Sequence, residues 1–325
     1  MAYKYILGIL LTHNILLYCA SAAVHGHSVE TLERESDGGF RARDYEHYSD
    51  SGHNTEFDHE AILGSVKEAE EFDNLSPEES KKRLAELIPK IDLNSDKQID
   101  RAELKLWILK SFVNLAREEA LERLQEADDN RDGSVTWPEY LHLFGVDTED
   151  DVAPDDTGDS GMSLLEEKAM WEVADINKDN ELDLDEFEVF TNPEEHEEMH
   201  QFLINQTLRE KDANKNGVID FSEYISDRGV QQDKEWLIAE KDKFDNDLDL
   251  NKDGVIDLPE IRAWILPDNE EIAMEEVDHL FATADDNHDD TLSYDEILTH
   301  HMVFVGSTSS DMQPDLLGDH FDDEL

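Results

Sequence analysis

The sequence predicts an all-α protein of six helix-loop-helix units arranged as three pairs, with short β pairings between loops. Two observations predict it. A twelve-residue pattern recurs six times, with Asp first, Asn third, an aliphatic residue eighth and Glu twelfth. Apolar residues at helical spacing flank each copy. The copies read DLNSDKQIDRAE from Asp92, DDNRDGSVTWPE from Asp128, DINKDNELDLDE from Asp175, DANKNGVIDFSE from Asp212, DLNKDGVIDLPE from Asp249 and DDNHDDTLSYDE from Asp285.

These are the ligand positions of an EF-hand loop. Ca²⁺ takes about six to eight oxygens at a flexible radius, supplied from loop positions 1, 3, 5, 7, 9 and 12. Position 1 is Asp92, Asp128, Asp175, Asp212, Asp249 and Asp285, and position 3 is Asn94, Asn130, Asn177, Asn214, Asn251 and Asn287. Position 5 is Asp96, Asp132, Asp179, Asn216, Asp253 and Asp289, and loop one adds Asp100 at position 9. Position 7 donates a backbone carbonyl, so Gln98, Ser134, Glu181, Val218, Val255 and Thr291 are free to differ. Glu103, Glu139, Glu186, Glu223, Glu260 and Glu296 each offer two oxygens at position 12. The expected cofactor is Ca²⁺, up to six ions. The eighth residues, Ile99, Val135, Leu182, Ile219, Ile256 and Leu292, are expected to face one another across partner loops.

The loops are not equal. Position 6 needs a turn that glycine makes without strain. Gly133, Gly217 and Gly254 meet it in loops two, four and five, against Lys97, Asn180 and Asp290 in the others. The backbone penalty, about 1 kcal/mol, falls hardest on Lys97. Loop five, with Asp249, Asp253, Asp257 and Glu260 plus its glycine, ranks tightest. Loop six, with Ser293 at position 9, ranks among the weakest, and loop four gives up a ligand charge at Asn216. Half-filling is expected near about 10⁻⁴ to 10⁻³ M.

Loop starts are separated by 36, 47, 37, 37 and 36 residues. The long interval holds an Asp-, Gly- and Ser-rich stretch, 145–163, that reads as a flexible acidic linker. EF-hands pack in pairs, so the expected pairs are loops one and two (61–144), three and four (164–228), and five and six (229–307). No comparable linker divides loops four and five, which leaves close packing or a shared helix open there. Helix starts are marked by Ser76-Pro77, with Glu79 closing a capping box, and by the similar Asn192-Pro193. Pro138 and Pro259 sit where exiting helices begin and a missing N–H costs little.

Composition bounds the partners. The chain carries 83 Asp+Glu against 27 Lys+Arg, a formal net charge of -56. That excludes phosphate-directed nucleic-acid binding and favours cations and basic proteins. Residues 1–22 read as a signal peptide: Lys4, a mostly apolar run from Ile6 to Tyr18, and Ala20-Ser21-Ala22. No stretch is apolar enough for membrane insertion. The one cysteine, Cys19, lies inside that peptide, so no disulfide is expected to staple the fold. Residues 23–60, with His25, His27, His47, His53 and His59, read as a disordered lead segment open to weak metal binding. The tail 308–325 ends Asp322-Asp323-Glu324-Leu325, a variant of the K-D-E-L address read by a retrieval receptor.

Taken with FDHEAILG from Phe57, LSPEESKKRL from Leu75, NPEEHEEM from Asn192, AWILP from Ala263 and FVGS from Phe304, the six-loop order resembles the CREC family. That family groups reticulocalbins and calumenins with a calcium-binding protein of the Golgi lumen. The resemblance covers Phe57 to the C-terminus. It implies low-affinity calcium binding in the endoplasmic reticulum lumen or later secretory pathway, no catalytic chemistry, and interaction with client or channel proteins.

Two further motifs compete for attention. HEEMH, His196 to His200, matches a zinc-peptidase pattern. The expectation is instead two partly covered histidines on the helix that enters loop four. Asn205-Gln206-Thr207 is an N-glycosylation sequon, placed on that same helix. Without calcium the crowded carboxylates repel, so the apo chain is expected to expand and Ca²⁺ to drive folding. Two roles remain: a buffer that also serves as a client-binding or chaperone-like module, or a sensor of one lumenal client or channel.

Overall fold

The computed structural model describes residues 39–44, 47–49, 52–143, 164–226, 229 and 232–307. The signal-peptide reading, the linker 145–163 and the D-D-E-L ending lie outside the described residues. The chain is all-α, its strands being two-residue ladders.

Phe40 is buried, and its N–H donates to the Ile265 carbonyl at 3.1 Å. Strands β1 (Tyr48–Ser49) and β2 (Gly52–His53) pair antiparallel. Asn54 then caps α1 (Thr55–Leu63), which closes at Gly64 with φ 65°. The expectation of a disordered segment through residue 60 is therefore corrected for the described residues from Gly39 onward. The stretch is locally polar, and what orders it is long-range burial of Phe40, His47 and Asp58.

Helix α2 (Val66–Asp73) leads to α3 (Pro77–Ile91), where the Ser76 hydroxyl accepts from the Glu79 N–H at 3.3 Å. Strand β3 (Gln98–Ile99) is followed by α4 (Arg101–Ala127), opened by a reciprocal capping box of Asp100 and Glu103. Then come β4 (Val135–Thr136), α5 (Trp137–Leu143), α6 (Leu164–Ala174), β5 (Glu181–Leu182) and α7 (Leu184–Thr191). Asn192-Pro193 does not repeat the Ser76-Pro77 device. Pro193–Glu195 form a 3₁₀ turn without a side-chain cap, and α8 (Glu197–Lys211) starts only after His196. Strand β6 (Ile219–Asp220), α9 (Phe221–Ile225) and α10 (Lys234–Lys243) follow. A π turn, Phe244–Leu248, delivers Asp249, whose N–H reaches the Phe244 carbonyl at 2.8 Å. The chain continues through β7 (Val255–Ile256), α11 (Leu258–Ile265), α12 (Asn269–Ala284), β8 (Leu292–Ser293), α13 (Tyr294–Thr299) and α14 (His301–Val305).

The loops form three pairs, but not the pairs that spacing suggested. β4 pairs with β5, β6 with β7, and β3 with β8, so the partners are loops two and three, four and five, and one and six. The reason is α4. Its 27 residues serve both as the exit helix of loop one and the entry helix of loop two. At 1.5 Å per residue it holds those loops about 40 Å apart, beyond any pairing. The long interval after loop two joins partners rather than dividing pairs. Loops four and five share no helix, since α9 and α10 are separate.

Two cores result. One is built by loops two to five, from Leu124 and Val135 through Trp171, Phe187 and Tyr224 to Ile265, with Phe40 added. The other joins α1 to α3 and the first half of α4 (Leu104, Ile108, Phe112) to α12, α13 and α14. In this second core the chain's early and late segments meet. The Ser80 hydroxyl donates to the Gly306 carbonyl at 2.7 Å, and His59 Nε2 lies 3.1 Å from the Met302 carbonyl.

Candidate metal centres

Each loop wraps its own backbone around its first carboxylate. In loop two the Asp128 Oδ1 accepts from the Arg131 N–H at 2.6 Å and Oδ2 from Gly133 at 2.9 Å. In loop three the Asp175 carboxylate accepts from Lys178 at 2.6 Å and Asn180 at 2.9 Å. Gly217, Gly254, Lys97 and Asp290 donate in the same way to Asp212, Asp249, Asp92 and Asp285 at 2.8, 2.7, 2.9 and 3.0 Å. This geometry demands left-handed backbone at two positions. Position 6 was expected. Position 4 was not: Ser95, Arg131, Lys178, Lys215, Lys252 and His288 have φ between 58° and 62°. Apart from His288, none is a residue type that announces such a conformation, so the sequence carries little signal for it. At position 6, Lys97, Asn180 and Asp290 take φ of 70°, 68° and 64°, against 86° to 94° for the glycines. A Cβ on Gly133, Gly217 or Gly254 would meet nothing within 4 Å, so backbone conformation alone favours glycine there.

The twelfth residue closes each loop from the exit helix. Glu103 accepts from the N–H groups of Leu93, Asn94 and Asp100, at 3.0, 3.1 and 3.1 Å. Glu186 repeats this with Ile176, Asn177 and Asp183 at 3.1, 3.0 and 3.3 Å. Glu223 and Glu260 each accept at 3.0–3.1 Å from position 3, Asn214 and Asn251. Glu139 and Glu296 also take hydroxyl bonds, from Thr136 at 2.7 Å and Ser293 at 2.6 Å. The oxygens of Asp175, Asp179 and Glu186 lie within 4.8 Å of one another, a spacing one cation could bridge. A donor set made only of oxygens suits Ca²⁺.

Burial grades the loops. Asp249 is 2% exposed and Glu260 4%, the most enclosed such pair, in the loop ranked tightest from sequence. In loop six both Asp285 and Glu296 are only half-buried. Loop one receives help that sequence reading missed. The Tyr294 hydroxyl, from loop six, donates to Asp92 Oδ2 at 2.8 Å. Burial alone would raise the Asp92 carboxyl, but that hydroxyl and the N–H groups of Lys97, Ser95 and Asp96 outweigh it and hold it below the ordinary range. Across the pair, Arg101 bonds Asp290 at 2.6 Å and also pairs with Asp278, while lying 4.4 Å from the Phe281 ring centre. All six aliphatic eighth residues have 0% exposure, paired as Ile99 with Leu292, Val135 with Leu182, and Ile219 with Ile256.

HEEMH does not present two imidazoles on one helix face. His196 is the extended residue before α8, with φ -111° and ψ 116°. His200 has both ring nitrogens engaged, Nε2 at 2.8 Å from the Glu194 carbonyl and Nδ1 at 3.1 Å from the Arg262 guanidinium. The sequon residue Asn205 is exposed and accepts from Gln201 at 3.1 Å. Its partner Thr207 is buried, with its hydroxyl bonded to the Leu203 carbonyl at 3.0 Å.

Fold and loops together define an EF-hand calcium-binding protein. The EF-hand family model matches residues 204–226 and 246–266, which contain loops four and five. Reticulocalbin-2 of Mus musculus is 36% identical over 289 residues, covering 86% of this chain and 90% of that protein. Reticulocalbin-2 of Crotalus adamanteus is 36% identical over 268 residues, with 80% and 88% covered. Reticulocalbin-2 of Rattus norvegicus is again 36% identical over 289 residues, with 86% and 90% covered. The chain belongs to the reticulocalbin family. Among the described residues, no helix is long and apolar enough to cross a membrane.

Proposed function

We propose that this chain is a low-affinity Ca²⁺ buffer of the endoplasmic reticulum lumen that also holds lumenal clients through its calcium-ordered surface. It binds up to six ions and catalyses nothing. One observation carries this reading: the loop carboxylates are built into the cores. Asp92, Glu103, Asp175, Glu186, Asp249 and Glu260 are each at most 8% exposed, beside aliphatic residues at 0%. Buried negative charge is costly unless a cation compensates it. Filling the loops and packing the cores are therefore one process, and calcium supplies the cohesion that disulfides give other lumenal proteins. The signal-peptide reading at 1–22 and the D-D-E-L ending support the lumen as the compartment, with a retrieval receptor as one partner. The acidic surface favours basic clients.

Calorimetry and far-UV circular dichroism, with and without EGTA, test the reading. The expected result is several ions bound, with helix lost and the radius increased on chelation. Fewer than three ions, or an unchanged radius, would sink it. A regulator of one specific client is the second reading. It is favoured by Leu106, Val113 and Leu121, which lie 57%, 56% and 38% exposed on one side of α4. A calcium-dependent pull-down from lumenal extract, repeated with Leu106→Glu and Val113→Glu, separates the two: one client lost supports regulation, whereas many retained support buffering.

A further inference from the structure

Away from the calcium loops, the two-hand core holds a second convergence of metal-binding side chains, of different chemistry. The β1–β2 hairpin sets His47 beside His53, with their Nε2 atoms 2.9 Å apart. Asp58, on the first turn of α1, places Oδ1 2.7 Å from His47 Nε2 and 3.2 Å from His53 Nε2. From α12, His279 brings its Nε2 to 3.5 Å from Asp58 Oδ2. Glu276, one helical turn before it, holds Oε2 3.8 Å from His47 Nε2.

We propose that His47, His53, His279 and Asp58 form a Zn²⁺ site, with Glu276 supplying further negative charge beside the ion. It is independent of the calcium reading. Three imidazole nitrogens and a carboxylate are a zinc donor set, whereas Ca²⁺ requires a shell of oxygens. Around a tetrahedral ion with bonds of about 2.0–2.1 Å, ligand atoms sit about 3.3 Å from one another. The His47, His53 and Asp58 atoms, 2.7 to 3.2 Å apart, lie close to that value, and His279, 3.5 Å from Asp58 Oδ2, stands outside that trio and would close on it as the ion binds.

Hydrogen bonding among the histidines and Asp58 is the simpler account, but it leaves charge unanswered. Asp58 is 0% exposed and Glu276 1% exposed. Asp58 Oδ2 and both Glu276 oxygens have no hydrogen-bond partner among the described residues. No lysine or arginine of the described residues pairs with either carboxylate. Two buried carboxylates facing three imidazoles are balanced by one divalent cation. An ion here would tie residues 47–53 to α1 and α12 and so brace the closure between loops one and six.

The test uses the full chain saturated with Ca²⁺ and titrated with Zn²⁺ by calorimetry, with Co²⁺ as an absorbing substitute. One Zn²⁺ should bind and resist excess Ca²⁺, and Co²⁺ should give the intense visible bands of tetrahedral coordination. His53→Ala and His279→Ala should each weaken Zn²⁺ by roughly 100-fold or more, since even outer-shell losses cost about 10–100-fold. His53 and His279 side chains are 29% and 23% exposed, so these variants are expected to fold, and circular dichroism with Ca²⁺ checks that they do. His196→Ala with His200→Ala should leave the affinity unchanged. The site is refuted if Zn²⁺ does not bind, if excess Ca²⁺ displaces it, or if the folded His53→Ala/His279→Ala protein binds it equally well.

Discussion

The four-hand core and the two-hand core use the same loop in different circumstances. Loops two to five follow one another along the chain, whereas Asp92 and Asp285, which open loops one and six, lie 193 residues apart. The turn residues are distributed accordingly. Loops four and five both have glycine at position 6, loops two and three have Gly133 and Asn180, and loops one and six have Lys97 and Asp290. The pair with the most distant partners thus also carries the most backbone strain. Side chains offset part of it: Arg101 with Asp290 and Asp278, Tyr294 with Asp92, and Lys105 with Glu270. The difference predicts that calcium should hold the two cores with unequal strength, the two-hand core opening first.

The largest effect should come from breaking that closure directly. Gly306 has φ 62°, and a Cβ there would lie 2.4 Å from Asp73 Oδ1 and 2.7 Å from the His59 ring. Gly306→Val should destabilise the two-hand core by about 2–4 kcal/mol through overpacking and left-handed strain. Trp107, whose indole donates to the Ile62 carbonyl at 2.8 Å, reports that core. Trp264, packed 5.6 Å from the Tyr224 ring, reports the other. In single-tryptophan proteins with Ca²⁺ present, only the Trp107 unfolding transition should drop. Equal loss at both would mean the cores do not behave separately.

Calcium titration sharpens the same contrast without mutating the closure. Two strained turns at about 1 kcal/mol each, partly offset by the cross-pair contacts, place the Trp107 midpoint about tenfold higher in Ca²⁺ than that of Trp264. Coincident midpoints would refute the graded scheme.

Much of this is legible in the sequence. The six loops and the buried eighth positions follow from a pattern whose chemistry is local. Pairing was not legible, because interval length says how far a chain can reach and not where it goes. The missing clue was α4: Arg101 to Ala127 contains neither Gly nor Pro, so nothing breaks the helix between loops one and two. The zinc donors were half visible. His47 and His53 stood out in a polar segment with Asp58 close behind, but His279 joins them only through folding, from more than 200 residues away. Asn192-Pro193 misled because a local capping signal was overridden by the turn that seats His200 and Arg262.

Relieving one turn should raise one affinity. Lys97→Gly removes left-handed strain at φ 70° without touching a ligand. It should tighten loop one about fivefold and move the Trp107 midpoint toward that of Trp264. Asp290→Gly should help less, since it also removes the Arg101 pair. An unchanged midpoint in Lys97→Gly would locate the weakness of this pair in chain closure rather than in the turn.

The remaining contrast is read by pH rather than by calcium, where residues 39–44 strap onto the four-hand core. Arg43 pairs with Glu195, and the neighbouring Glu194 has an Oε2 with no hydrogen-bond partner among the described residues. Burial, with Glu195 adding to it and Arg43 opposing, pushes the Glu194 carboxyl up from 4.5 to about 7. Between those values the folded state binds more proton than the unfolded one, so this group's contribution to stability is present below about 4.5 and is lost as pH rises to 7. Glu194→Gln cannot ionise and escapes that loss. With Ca²⁺ saturating, its melting temperature should exceed that of the parent chain at pH 8 and approach it at pH 5.5, read at Trp264. If the advantage were instead the same at both pH values, the substitution would be acting through packing, and the strap would impose no charge penalty on the four-hand core.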